Sequence, residues 1–160
     1  MLKSKIFYGL AGLVALHVAD DNFIQPVAGT NGFDHLTGGL VPLGLIGFAA
    51  WLWSRSGEGT RGFVALATGA FGVVVSTEAA YYLSTTGLDG DDFTGVVAGL
   101  AGLGLIGVGI VTLWTSRRLD DGHLWRYCRR SLLAVTGLVA VAMVGFPIGF
   151  SYVVSHSARA

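Results

Sequence analysis

The chain has 160 residues, 52% of them hydrophobic and 12% charged, with no formal net charge and a mean hydropathy of +0.65. A soluble domain carries about twice that share of charge, so the composition points to a membrane protein. The single cysteine, Cys128, excludes an internal disulfide framework and a Cys-rich zinc site, and the basic residues lie in short clusters beside apolar spans, with no separate domain to bind nucleic acid.

Crossing a hydrocarbon core of roughly 30 Å takes about 20 largely apolar residues in a helix. Five segments approach this: 6–19, 36–53, 62–83, 93–114 and 131–154. They predict an all-α, polytopic integral membrane protein in which 1–160 is a single domain, a bundle of five transmembrane helices. The first segment follows Lys3 and Lys5 and also has the shape of a signal peptide. Small residues are poorly placed for cleavage there, however, and His17, Asp20 and Asp21 follow at once.

Lys and Arg collect in cytoplasmic loops. With the N-terminus inside, that side holds Lys3, Lys5, Arg55, Arg61, Arg117, Arg118, Arg126, Arg129 and Arg130, nine of the ten basic residues. The other side holds Asp20, Asp21, Asp34, Asp89, Asp91 and Asp92, with Arg159 its one cation. Five spans then put the C-terminus outside, in a multi-pass protein of the plasma membrane. Trp51, Trp53, Trp114 and Trp125 fall near the cytoplasmic boundary, where an indole ring sits in the interface with its N–H wet.

Glycine marks the packing surfaces. Gly95 and Gly99 form a GxxxG step, and Gly95, Gly102 and Gly109 recur every seven residues, so one face of the fourth span offers a groove for a close neighbour. Gly44 and Gly47 offer a shorter surface on the second span, where Pro42 either kinks the helix or sits in its first turn. Gly145, Pro147 and Gly149 predict a bend in the fifth. Asp91 or Asp92 is placed to cap the fourth span and oppose its dipole.

The groups able to carry chemistry gather on the outer side. His17, Asp20 and Asp21 stand at i, i+3 and i+4 and share a face if the first helix continues that far. Asp34 and His35 enter the second span from the same side. Glu78 is the one ionisable residue well inside a span, with Tyr81 and Tyr82 at i+3 and i+4, so it is expected to face the bundle and find a partner. Three readings stay open. His17, Asp20, Asp21, His35 and Glu78 could hold a divalent cation such as zinc, since imidazole and carboxylate oxygen are ordinary ligands, although no H-E-x-x-H spacing is present. They could instead form a hydrogen-bonded clasp, with His17 paired to Asp20 or Asp21 and Glu78 either protonated by desolvation or held by a tyrosine. Glu78 could also serve a proton or ion pathway, although no second acid lies deeper to continue it. A haem between His17 and His35 is disfavoured, because both lie at the membrane edge.

The loop SRRLDDGHLWRYCRR presents arginines to anionic lipid headgroups of the bilayer, and Cys128 within it reads as a reduced thiol that could be acylated. No G-x-S-x-G elbow, Walker loop or dinucleotide fingerprint is present.

The segments LHVADDNFIQP, DHLTGGLVPL, EAAYY followed by GDDFTG, and TLWTSRRLDD resemble the membrane-embedded N-terminal region found ahead of some bacterial α/β-hydrolase-type domains. The resemblance spans nearly the whole chain, and no chemistry is assigned to these motifs. In such relatives the hydrolase follows the last helix, whereas this sequence ends just after His156. The resemblance therefore implies a membrane anchor or scaffold for a hydrolase on the outer face, either as a piece of a longer protein or as a stand-alone relative, with no catalytic set of its own. The alternatives are a small membrane enzyme or metal-binding protein using the outer His/Asp/Glu group, and a proton- or ion-coupled transporter using Glu78. Self-association into a homo-oligomer would widen the thin pathway that the last of these requires.

Overall fold

A computed structural model of the chain describes residues 2–26, 29–85, 90 and 92–117. The expected span 131–154 with its bend, the arginine-rich loop beyond Arg117, Cys128 and Trp125 lie outside the described residues. The described residues are helices joined by turns and short irregular segments, with no strand among them: α1 (Leu2–Ala19), a π-helical turn (Asp20–Ile24), α2 (Leu36–Arg55), α3 (Glu58–Val75), α4 (Thr77–Thr85) and α5 (Asp92–Arg117). Three helical stretches, Leu2–Ile24, Leu36–Arg55 and Asp92–Ser116, are long and apolar enough to cross a membrane, and the α3–α4 pair makes a fourth if it is one span.

The third segment, expected as a single helix over 62–83, is broken. α3 stops at Val75, Ser76 forms a turn, and α4 leaves at 40°. Two hydroxyls back-bond at the interruption. Ser76 Oγ donates to the Val73 carbonyl at 2.8 Å and Thr77 Oγ1 to the Val74 carbonyl at 2.7 Å, and such back-bonding bends helices by drawing carbonyls toward the side chain. Pro42 lies inside α2, past its first turn, where its ring removes one N–H from the ladder.

α1 contributes Phe7, Ala11, Val14 and Val18, one face at helical spacing, to a core completed by Ile46 and Trp53 of α2, Val64 and Ala65 of α3, and Ala101 and Leu105 of α5. In lipid, apolar side chains have no preference for one another over acyl chains, so close van der Waals contact must hold the helices together. Glycine supplies it between α3 and α5. A Cβ added at Gly69 would lie 2.6 Å from the Gly102 carbonyl oxygen, and one at Gly102 would lie 2.7 Å from the Gly69 carbonyl oxygen. One turn pair further along, a Cβ at Gly109 would lie 2.8 Å from the Gly62 carbonyl oxygen. Gly102 and Gly109 of the seven-residue stripe of α5 therefore meet Gly62, Gly69 and Gly72 on α3, while Gly95 meets Ala79 of α4 and His17 of α1. Gly44 and Gly47 of α2 have nothing within 4 Å of an added Cβ and form no such contact among the described residues.

At one end of the bundle the start of α1, the end of α2, the start of α3 and the end of α5 meet. Lys3 Nζ donates to Glu58 Oε2 at 3.3 Å and to Thr115 Oγ1 at 3.1 Å, and Arg61 donates to the Trp53 carbonyl at 2.9 Å. Trp53 departs from the expected wet interfacial position. It is 1% exposed, stacks on Phe7 with ring centroids 4.1 Å apart, and directs its indole N–H to Ser4 Oγ at 3.3 Å, while Trp51 and Trp114 face outward. The hydroxyl of Ser4 and the ring of Phe7 let the indole bury with its N–H satisfied.

The glycine seam makes a direct prediction. Gly69→Val or Gly102→Val drives a branched side chain into backbone that cannot yield, and thermal unfolding in detergent should register a loss of about 1–3 kcal/mol or more. Gly44→Ala and Gly47→Ala enter open space and should change stability by no more than about 0.5 kcal/mol.

Candidate functional site

The opposite end gathers polar groups from three elements. α1 brings His17 there after four turns of helix, and the π turn then widens the backbone, closing with the Gln25 N–H donated to the Asp20 carbonyl at 2.8 Å. That geometry leaves His17, Asp20 and Asn22 buried and Asp21 half-buried. π turns inside helices occur often at functional sites.

His17 and Asp20 do not touch directly. Thr94, in the first turn of α5, stands between them: its Oγ1 is 2.8 Å from Asp20 Oδ2 and 3.1 Å from His17 Nδ1. The other imidazole nitrogen, Nε2, donates to the Val75 carbonyl at 3.3 Å, at the residue where α3 ends. On the far side Gln25 Nε2 donates to Asp20 Oδ1 at 3.1 Å and Oδ2 at 3.3 Å. The result is one continuous line, Val75 carbonyl, His17, Thr94, Asp20 and Gln25, tying α1 and its π turn to α3 and α5. His17 is 7% exposed and Asp20 5%, so each of these bonds replaces one that water cannot supply.

Glycines make the room. A Cβ at Gly95 would lie 2.6 Å from the Ala79 methyl and 3.2 Å from His17 Cε1, so this bare position of α5 admits α4 closely and leaves the imidazole its room. Gly90, with a φ of +46° that favours glycine, would bring a Cβ 3.1 Å from Gln25 Oε1.

The other expected site residues are placed elsewhere. Asp21 accepts from Asn22 Nδ2 at 3.1 Å, and Asn22 also donates to the Val18 carbonyl at 2.9 Å. His35, half-buried at the start of α2, bonds Thr30 Oγ1 through Nε2 at 2.8 Å, while Asp34 accepts the Asn31 N–H at 2.9 Å in an exposed turn. Glu78 does not face the bundle. The bend at Ser76 turns it outward on α4, where it is exposed, as are Tyr81 and Tyr82. Among the described residues no three of His, Cys, Asp and Glu come together as a group that could hold a metal ion. Sequence reasoning missed Thr94, Gln25 and the Val75 carbonyl. Its available signal was the Thr-Gly step at 94–95, a hydroxyl beside a bare position at a helix start. No family model, curated protein or solved structure matches this chain.

Thr94→Val keeps the shape and removes the bridging hydroxyl, leaving buried partners unpaired. It should cost about 1–3 kcal/mol by denaturant unfolding in detergent, with Thr94→Ser close to the parent, whereas His35→Ala should cost less than about 1 kcal/mol.

Proposed function

We propose that this chain is an integral membrane scaffold: a five-span module of the cell membrane, N-terminus in the cytoplasm, that presents its acidic end to a partner on the outer side. One observation carries this reading. At both ends polar side chains join helices distant in sequence, through the half-buried Lys3, Glu58 and Thr115 at one end and through His17, Thr94 and Asp20 at the other. A bundle clasped in this way is a rigid platform. Its acidic end also carries exposed Phe33 and Phe93, 83% and 60% accessible. Exposed aromatic residues beside acidic groups suit a docking surface better than an ion pathway, and an outward-facing Glu78 offers such a pathway little support.

The resemblance to regions that precede α/β-hydrolase-type domains names the partner to look for. A photoreactive amino acid at Phe33, activated in intact cells, should capture a hydrolase-type protein that remains with the membrane after an alkaline wash. Capture of lipid alone would count against the docking role. At the basic end, Trp53→Ala should lower stability by about 3–5 kcal/mol, measured by thermal unfolding, because a filled aromatic site becomes a cavity.

A further inference from the structure

The break after α3 decides where Glu78 and its neighbouring tyrosines come to stand. α1 and α3 share both ends, with Lys3 meeting Glu58 at one and His17 meeting the Val75 carbonyl at the other. At 1.5 Å per residue the 18 residues of α3 cover about 27 Å, close to the roughly 30 Å of a hydrocarbon core. In a bilayer α4 therefore begins at the boundary, and it leaves there at 40° to α3. Ala79 is its buried residue, set against Gly95, while Glu78, Tyr81 and Tyr82 are exposed, the two rings to 63% and 37%. Their spacing of i, i+3 and i+4 puts the carboxylate and both rings on one face of α4. The ring centroids are 5.6 Å apart with planes at 68°, so the pair presents one ring face and one ring edge side by side.

What such a face recognises follows from its charge. The face of an aromatic ring is electron-rich and draws a cation, an ammonium group above all, and a carboxylate one helical turn away adds to the attraction. The chain brings no Lys or Arg to this end: none stands between positions 6 and 54 or between 62 and 116, and Lys3, Arg55 and Arg61 belong to the other end. We propose that Glu78, Tyr81 and Tyr82 form a binding site for the ammonium group of a zwitterionic phospholipid headgroup. The depth of α4 selects a lipid as the source, because headgroups lie at the level where α3 ends and tyrosine is at home there. Val74, 62% exposed in the last turn of α3, offers apolar surface to the acyl chains below. A lipid with a phosphate and no ammonium would instead bring negative charge to a carboxylate. This inference needs the chain to sit in a bilayer. It needs neither five spans nor a docked partner, so a failed search for that partner leaves it standing.

The test is nuclear magnetic resonance of the whole chain, with ring-¹³C tyrosine, in maltoside micelles that bring neither ammonium nor phosphate. Short-chain phosphatidylcholine, phosphatidylglycerol with the same acyl chains, and choline chloride are titrated in separately. The ring signals of Tyr81 and Tyr82 should move and saturate with phosphatidylcholine at a concentration about fivefold below the one phosphatidylglycerol needs. Choline chloride at the same concentrations should leave them in place. Glu78→Gln and Tyr82→Leu should each weaken the phosphatidylcholine response by about fivefold, whereas Tyr82→Phe keeps the ring face and should match the parent. Equal responses to the two lipids in the parent protein would overturn the proposal, even if every variant failed to fold. An unchanged response in a folded Glu78→Gln would do the same. Saturation by choline chloride as readily as by the lipid would place the ligand in solution and overturn the assignment to a headgroup.

Discussion

The closeness of α3 to α5 is the constraint on which the rest depends. Two helices carrying ordinary side chains keep their axes about 8–10 Å apart. Here Gly62, Gly69 and Gly72 oppose Gly102 and Gly109 so tightly that a single added carbon would meet backbone at under 3 Å at Gly69, Gly102 and Gly109. In a medium that gives apolar groups no reason to associate, that proximity is a substantial source of cohesion. It also brings the end of α3 within reach of the first turn of α5. Only then can one imidazole contact both Val75 and Thr94.

Polar groups at the two ends follow from this arrangement. Neither end is a strong electrostatic lock. Lys3 and Glu58 are each more than two-fifths exposed, a setting in which an ion pair is worth about 0–1 kcal/mol. The stacked, buried Trp53 and Phe7 matter more there, with the Arg61 guanidinium 5.8 Å from the indole centre. At the acidic end the bonds are buried, so losing one partner strands another. The break at Ser76 serves this end by letting α3 finish beside His17 while α4 turns away.

Much of this was legible in the residues, and the boundary of legibility has physical causes. The apolar spans, the alternating run of the helices and the seven-residue glycine stripe of α5 are periodic features, and periodicity survives without knowledge of contacts. The i, i+3 spacing of His17 and Asp20 likewise put both at one end. What could not be read is pairing across sequence. Thr94 lies 77 residues from His17 and 74 from Asp20, and a threonine in a first turn looks like an ordinary helix start. Glu78 departs from its expected interior position because the segment 62–83 is bent at Ser76. The back-bonds of Ser76 and Thr77 mark the bend, which carries the carboxylate to the outside. Trp53 was expected at the interface because its position along the span says nothing of Phe7 on another helix.

The central claim is that the bare positions of α5 create the hydrogen-bonded line rather than merely accompanying it. The most direct measurement is a double-mutant cycle in detergent between Gly95→Val, which wedges α5 away from His17, and Thr94→Val, which deletes the bridge. If bare Gly95 positions the line, the cost of Thr94→Val should fall to near zero in the Gly95→Val background, a coupling of about 1–3 kcal/mol. Equal costs in both backgrounds would mean that the line forms whether or not position 95 is bare, and would contradict the account.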